Sequence, residues 1–196
     1  MQATGSGTQV NSVPAGTLNG INYNAASGTL NVIELVTLAK AFSPTTVNQG
    51  GSTTLTITLS NAAGVNANIT SFTDLLTTMG TGFTIGAGAS TTCGGSLTAT
   101  PGTTTISMTG GVVPAGGNCR IVVPVNVATN ASTGGRTNTI AINGMVTDLG
   151  NNPTTVTANL TVNRTATLAK TYTPSTVAPG GTSTLTLTVT RASGAP

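Results

Sequence analysis

The sequence has no histidine and no tryptophan, and its only acids are Glu34, Asp74 and Asp148. A Ser-His-Asp arrangement is therefore ruled out, and three scattered carboxylates offer no evident pair for glycoside chemistry. Catalysis on an external substrate is not expected, and no cofactor is implied. Aromatics make up 3% of the chain and charged residues 5%, and the net charge of +3 comes from six dispersed cations. Without a basic cluster or interleaved aromatics, nucleic acid is not an expected partner. The most apolar runs, such as Cys119 to Val127, are far shorter than the roughly 20 residues of a membrane helix, so no membrane span is expected. What the chain does have is Gly, Thr and aliphatic residues, with a hydrophobic fraction of 37% that is too high for a disordered segment.

Self-similarity organises these residues. The stretch Thr37-Leu-Ala-Lys-Ala-Phe-Ser-Pro returns as Thr167-Leu-Ala-Lys-Thr-Tyr-Thr-Pro, and Gly50-Gly-Ser-Thr-Thr-Leu-Thr-Ile-Thr-Leu returns as Gly180-Gly-Thr-Ser-Thr-Leu-Thr-Leu-Thr-Val. Leu30 and Val32 match Leu160 and Val162, and Asn11-Ser-Val resembles Asn138-Thr-Ile. One module of about 130 residues follows from this period. Residues 33–162 form one complete module, residues 1–32 the tail strands of a preceding one, and residues 163–196 the head strands of a following one.

Within the module the hydrophobic period is two: Leu55, Ile57 and Leu59 alternate with Thr54, Thr56 and Thr58. Further strands are expected at 36–42, 69–73, 97–100, 105–109, 120–127, 136–143 and 156–162, separated by Gly, Pro and Asn clusters, while the Gly-rich stretch 80–88 reads as turns. Many short alternating strands without a helical pattern predict an all-β, immunoglobulin-like β-sandwich repeat with flanking partial modules.

Several phrases carry a family resemblance: Leu38-Ala-Lys-Ala-Phe-Ser-Pro, Phe72-Thr-Asp-Leu-Leu, Cys93-Gly-Gly, Pro114-Ala-Gly-Gly-Asn-Cys and Thr137-Asn-Thr-Ile. Over essentially its whole length the chain resembles the bacterial conserved-repeat surface domain, an immunoglobulin-like module found in tandem in very large secreted proteins. The resemblance implies a sandwich fold, placement at the cell surface and an adhesin or stalk-like role; the family has no assigned activity. Where it has a proline after Asp-Leu-Leu, this chain has Thr77.

Two groups of residues stand out. Cys93 and Cys119 would close a loop of roughly 25 residues, which in the chain-entropy model stabilises by about 3 kcal/mol. With no His or acidic cluster beside them a metal site is set aside, and a disulfide is favoured over two free thiols; it points to an oxidising compartment, the periplasm, cell surface or medium. The other group is Lys40, Asp74 and Asn138. Related Gram-positive surface modules place a Lys, an acid and an Asn similarly and form an intramolecular isopeptide bond, in which a desolvated amine attacks the Asn side chain and ammonia leaves. The competing expectation is an ordinary ion pair, with Asn138 bonding to backbone. Lys170 and Asn11 occupy the equivalent positions in the partial modules, and neither fragment brings its own central acid. The loop with Asp148, Asn151 and Asn152 has oxygen ligands for calcium but few carboxylates, and an Asx-type turn is the stronger reading.

The expected function is that of a structural building block of an extracellular filament or surface stalk. Its expected partners are identical subunits, through strand complementation, or adjacent identical modules in a tandem array. A ligand-binding adhesin domain is the alternative, for which only Phe83, Tyr23 and Tyr172 are candidate recognition aromatics.

Overall fold

The structure, a computed structural model, describes residues 7–32 and 36–191. The boundary residue Ile33 and the acid Glu34 lie outside the described residues. Three groups of strands follow one another along the chain. In the first, β1 (Gly7–Val13) and β4 (Ala26–Val32) form an antiparallel hairpin, with β2 (Gly16–Leu18) and β3 (Ile21–Tyr23) as a short ribbon within its loop. Asn19 and Gly20 both have positive φ, 50° and 80°, as a two-residue turn between twisted strands requires.

The second group opens with β5 (Thr37–Ser43), β6 (Thr46–Asn48), β7 (Ser52–Ser60) and β8 (Ala67–Leu75), followed by a single 3-10 turn, Leu76–Met79. Next come β9 (Phe83–Ile85), β10 (Ser90–Thr91), β11 (Ser96–Thr98), β12 (Thr105–Thr109), β13 (Val112–Val113) and β14 (Asn118–Val127). It closes with β15 (Gly134–Ile140), β16 (Met145–Thr147), β17 (Gly150–Asn151) and β18 (Val156–Asn163). The third group is a hairpin of β19 (Ala166–Thr173) and β20 (Thr184–Arg191).

The second group is an all-β sandwich. One sheet has the order β10-β14-β7-β5, with β9 also on β14; the other has the order β11-β12-β8-β16-β17, with β13 also on β8. A third sheet, β15-β18-β6, joins the two, since β15 lies against β8 and β18 against β5. The alternation read from the sequence has the expected consequence: Leu55, Ile57 and Leu59 are fully buried and meet Val123, Ile121 and Cys119 across the β7–β14 ladder, while the intervening threonines stay partly exposed. Phe72, Ile106, Met108 and Ile140 complete the same core.

Two segments differ from expectation. The stretch 80–88 is not turns alone, because Phe83 and Ile85 bury their side chains and pair as β9 with β14, while Gly80, Gly82 and Gly88 take positive φ on either side. The strand expected at 136–143 ends at Ile140, since Asn143 turns the chain with a φ of 60°.

The flanking hairpins repeat parts of this sandwich in register. Thr173 pairs with Thr184 and Thr167 with Thr190, as Ser43 pairs with Thr54 and Thr37 with Ser60. Ser183 Oγ donates to the Pro174 carbonyl at 2.6 Å, as Thr53 Oγ1 does to Pro44 at 2.7 Å. Upstream, Asn11 faces Gly28 and Val13 faces Ala26, the places taken in the module by Asn138 with Ala158 and Ile140 with Val156.

Candidate functional site

The period-two pattern that builds the core also carries three polar side chains into it. On β5, Lys40 sits in the inward row between Leu38 and Phe42. On β8, the register with β16 shifts between Val146 and Thr147, where Ile69 and Ser71 are successive partners; Thr70 is the extra residue. That irregularity resets the alternation, so that Phe72 and Asp74 both face the core. On β15, Asn138 lies in the inward row with Ile140 and is fully buried.

The three meet. Lys40 Nζ donates to Asp74 Oδ2 at 2.7 Å, and neither side chain has exposed surface. Asn138 Nδ2 donates to Asp74 Oδ1 at 3.0 Å, so the carboxylate bridges the amine and the amide. Burial is the largest influence on Lys40 and holds its pKa below the ordinary lysine range, while the charge of Asp74 and the hydrogen bond to it pull the other way. The arrangement can therefore yield a neutral amine by passing one proton across a short hydrogen bond. It is also the single ion pair among the described residues.

The amide is oriented differently from what a carboxyl group polarising its carbonyl would require. Nδ2, not Oδ1, faces Asp74, and Oδ1 is buried with no hydrogen-bond partner. The cause lies in residues that the sequence reading missed. Nδ2 also donates to the Leu75 carbonyl at 3.0 Å and to Thr78 Oγ1 at 3.1 Å, both supplied by the chain entering the 3-10 turn. Thr77, where the resembling family has proline, lies within that turn.

The remaining sequence candidates are placed elsewhere. Cys93 and Cys119 form a disulfide at 2.01 Å, which ties the loop after β10 to the start of β14. Gly95 beside it has a φ of 70°, and a Cβ there would run into the Thr109 carbonyl. Asp148, Asn151 and Asn152 do not point at a common centre. The Asp148 carboxylate accepts from the Asn68 backbone at 2.8 Å and from Asn68 Nδ2 at 2.5 Å, bonds that lower its pKa. Asn152 is buried and bonds Ala141, Met145 and Thr154, while Asn151 donates to Asn143. No group of three metal-ligating side chains occurs among the described residues. Phe83 belongs to the core rather than to a recognition surface, whereas Tyr23 and Tyr172 are exposed. Lys170 is exposed on β19 with its amine 5.7 Å from the Tyr172 ring centre, and Asn11 is exposed on β1.

The model of a family described as a domain of unknown function, DUF7933, matches residues 36–162. The chain belongs to this family. The matched segment of the DUF7933 module holds Lys40, Asp74, Thr78 and Asn138, and stops at the end of β18. No curated protein matches the chain in sequence. Among solved structures, the seventh ScaB type I cohesin from Pseudobacteroides cellulosolvens is similar at 15% identity and a TM-score of 0.39, covering 67% of this chain and 96% of that one. The collagen adhesin CNA from S. aureus is similar at 9% identity and a TM-score of 0.35, covering 82% of this chain and 79% of that one. The Pseudomonas fluorescens alkylpurine DNA glycosylase AlkC, bound to DNA containing an abasic site analog, is similar at 10% identity and a TM-score of 0.37 over 64% of this chain, which spans only 30% of that protein.

Proposed function

We propose that the DUF7933 module is a self-cross-linking structural unit of an extracellular bacterial filament or surface stalk, joined end to end with identical modules. The observation that carries this reading is the enclosed Lys40–Asp74–Asn138 constellation, which sets an amine on the module's first strand, β5, and an amide on β15 against the same carboxylate. A buried ion pair without further purpose is a weak stabiliser compared with aliphatic packing. The same groups held ready for reaction convert a non-covalent contact into a bond.

Asp74 accepts a proton from Lys40 Nζ at 2.7 Å, and the neutral amine attacks Asn138 Cγ. A bond forms between Nζ and Cγ, and the bond between Cγ and Nδ2 breaks. Asp74, whose Oδ1 lies 3.0 Å from Nδ2, takes the protons of Nζ one after the other and hands each to the departing nitrogen as the carboxyl group turns. Nζ surrenders two protons in all; with the two already on Nδ2 they leave as ammonium, and Asp74 ends as a carboxylate.

The disulfide supports an oxidising location outside the cytoplasm. End-to-end joining is supported by the two hairpins, whose registers reproduce the last and first strand pairs of the module. Identical neighbours, in the same chain or in other subunits, would complete them.

Intact mass of the purified, reduced chain tests the reading. It is expected to fall about 17 Da below the sequence mass, the loss of one ammonia, and digestion should yield one peptide joining the segments around Lys40 and Asn138. Lys40→Met, Asp74→Ala and Asn138→Ala should each restore the full mass. A wild-type chain of full mass would refute the cross-link.

A further inference from the structure

Resting on that cross-linking reading, the surroundings of the Asn138 amide give a further residue a role. Asn138 Nδ2 carries two hydrogens but has three acceptors around it: Asp74 Oδ1, the Leu75 carbonyl and Thr78 Oγ1, at 3.0, 3.0 and 3.1 Å. At the other end, Oδ1 has no partner. The surplus of acceptors is not a packing accident of one rotamer. The Leu75 carbonyl can only accept, and the Thr78 hydroxyl hydrogen is already engaged in donating to that carbonyl at 2.9 Å. Thr78 Oγ1 additionally accepts from Thr139 N at 3.1 Å, which fastens the 3-10 turn to β15. Turning the amide over would set Oδ1 against lone pairs, so the nitrogen is held on this side.

The placement is directional. Lys40 and Asp74 have no exposed side-chain surface, whereas Leu75 and Thr78 are exposed residues at the end of β8 and in the turn after it. The nitrogen to be expelled is thus held in part by two residues that reach the surface.

We infer that Thr78 is a catalytic residue of the cross-linking step, and that its hydroxyl and the Leu75 carbonyl form a leaving-group site that receives the nitrogen of Asn138 and releases it to solvent as ammonium. A three-acceptor cradle fits an amide N–H2 incompletely and fits a nitrogen gaining protons better. Its hydrogen bonds therefore strengthen as the bond between Cγ and Nδ2 breaks, which is the condition for lowering the barrier rather than merely holding the ground state.

The test is the rate of ammonia loss, followed by intact mass during a chase after cell-free synthesis of the full chain. Thr78→Val keeps the shape but removes the hydroxyl, and should slow the reaction about tenfold or more, the equivalent of one hydrogen bond to a charged group. Thr78→Ser should react within about twofold of wild type, since it keeps that bond. The pH dependence of the rate should keep its midpoint in Thr78→Val, because the amine and its carboxylate are untouched; a loosened, water-filled site would shift it. Circular dichroism checks that each variant folds, and if Thr78→Val does not, Thr78→Ala against Thr78→Ser decides on the same criterion. A valine or alanine variant that reacts as fast as wild type, a serine variant as slow as they are, or a moved midpoint would each overturn the leaving-group site while the cross-link stands. A wild-type chain that never loses ammonia would remove both.

Discussion

The β5–β7 hairpin and the β19–β20 hairpin are near-copies in sequence and share one register, yet they live in opposite environments. Leu55, Ile57 and Leu59 are fully buried, while their counterparts Leu185, Leu187 and Val189 are 43%, 58% and 70% exposed. Lys40 is enclosed against Asp74, whereas Lys170 lies over a tyrosine at the surface. The local pattern alone suffices to specify strand, register and side-chain hydrogen bond. Burial, and with it the lowered pKa of Lys40, requires the strands that β8, β14 and β15 supply. The enclosed Lys40–Asp74–Asn138 contact is a property of the completed sandwich, not of the motif that begins it.

That contrast can be broken from the module side. Asp74→Ala leaves Lys40 enclosed without its counter-charge and should cost about 3–5 kcal/mol, read as a lower midpoint in denaturant unfolding, in addition to abolishing any cross-link. Lys170 has no such dependence on a buried carboxylate, so Lys170→Met should leave the midpoint unchanged within about 0.5 kcal/mol.

The apolar rows sharpen it at the next level. Ile57→Ala should destabilise the module by about 2–5 kcal/mol through transfer and cavity terms. Leu187→Ala, the same kind of truncation at the matching exposed place, should fall within about 0.5 kcal/mol. Equal losses at both positions would show that the downstream hairpin is packed in solution as tightly as its counterpart.

The smallest effect is one of pH. In Asn138→Ala the amine cannot be consumed, and Asp74 is the charged group facing it. Because burial lowers the Lys40 pKa from the ordinary 10.5, the folded chain binds fewer protons than the unfolded one between the folded value and 10.5. Stability should therefore rise with pH through that window and level off above it, with a slope of at most about 1.4 kcal/mol per pH unit for one proton. Stability falling with rising pH would mean that the Asp74 attraction outweighs desolvation.

Much of this was legible in the residues. The alternating rows locate β5, β7, β8, β12, β14, β15 and β18, and a charge at the inward place of an aliphatic row, as at Lys40, is a visible anomaly. The short strand β11 was anticipated at 97–100, but β9 was hidden because it lacks a pattern of its own: it has three residues and is held by Val125 and Val127 across the ladder. Thr78 was invisible for a related reason. In a chain crowded with threonine, its role depends on a 3-10 turn that follows β8 and on an amide sixty positions away in β15, neither of which leaves a local mark. The weaker, calcium reading of Asp148, Asn151 and Asn152, set below an Asx-type turn, counted oxygen atoms without knowing where they pointed. Asn68 occupies the carboxylate, and Asn152 turns inward.

A bond from residue 40 to residue 138 would place residues 41 to 137 inside a closed ring, while the chain enters the module at Thr37 and leaves it at Asn163. A pull applied at the two ends would then run along β5 for three residues, cross the side-chain bridge, and leave along the hairpin of β15 and β18. Some 330 Å of extended chain, at about 3.4 Å per residue, could not be drawn out however far the sandwich melted. A fibre of such units could lengthen by unfolding only through the segments outside the ring, chiefly residues 139 to 163, and would stiffen once these were drawn out.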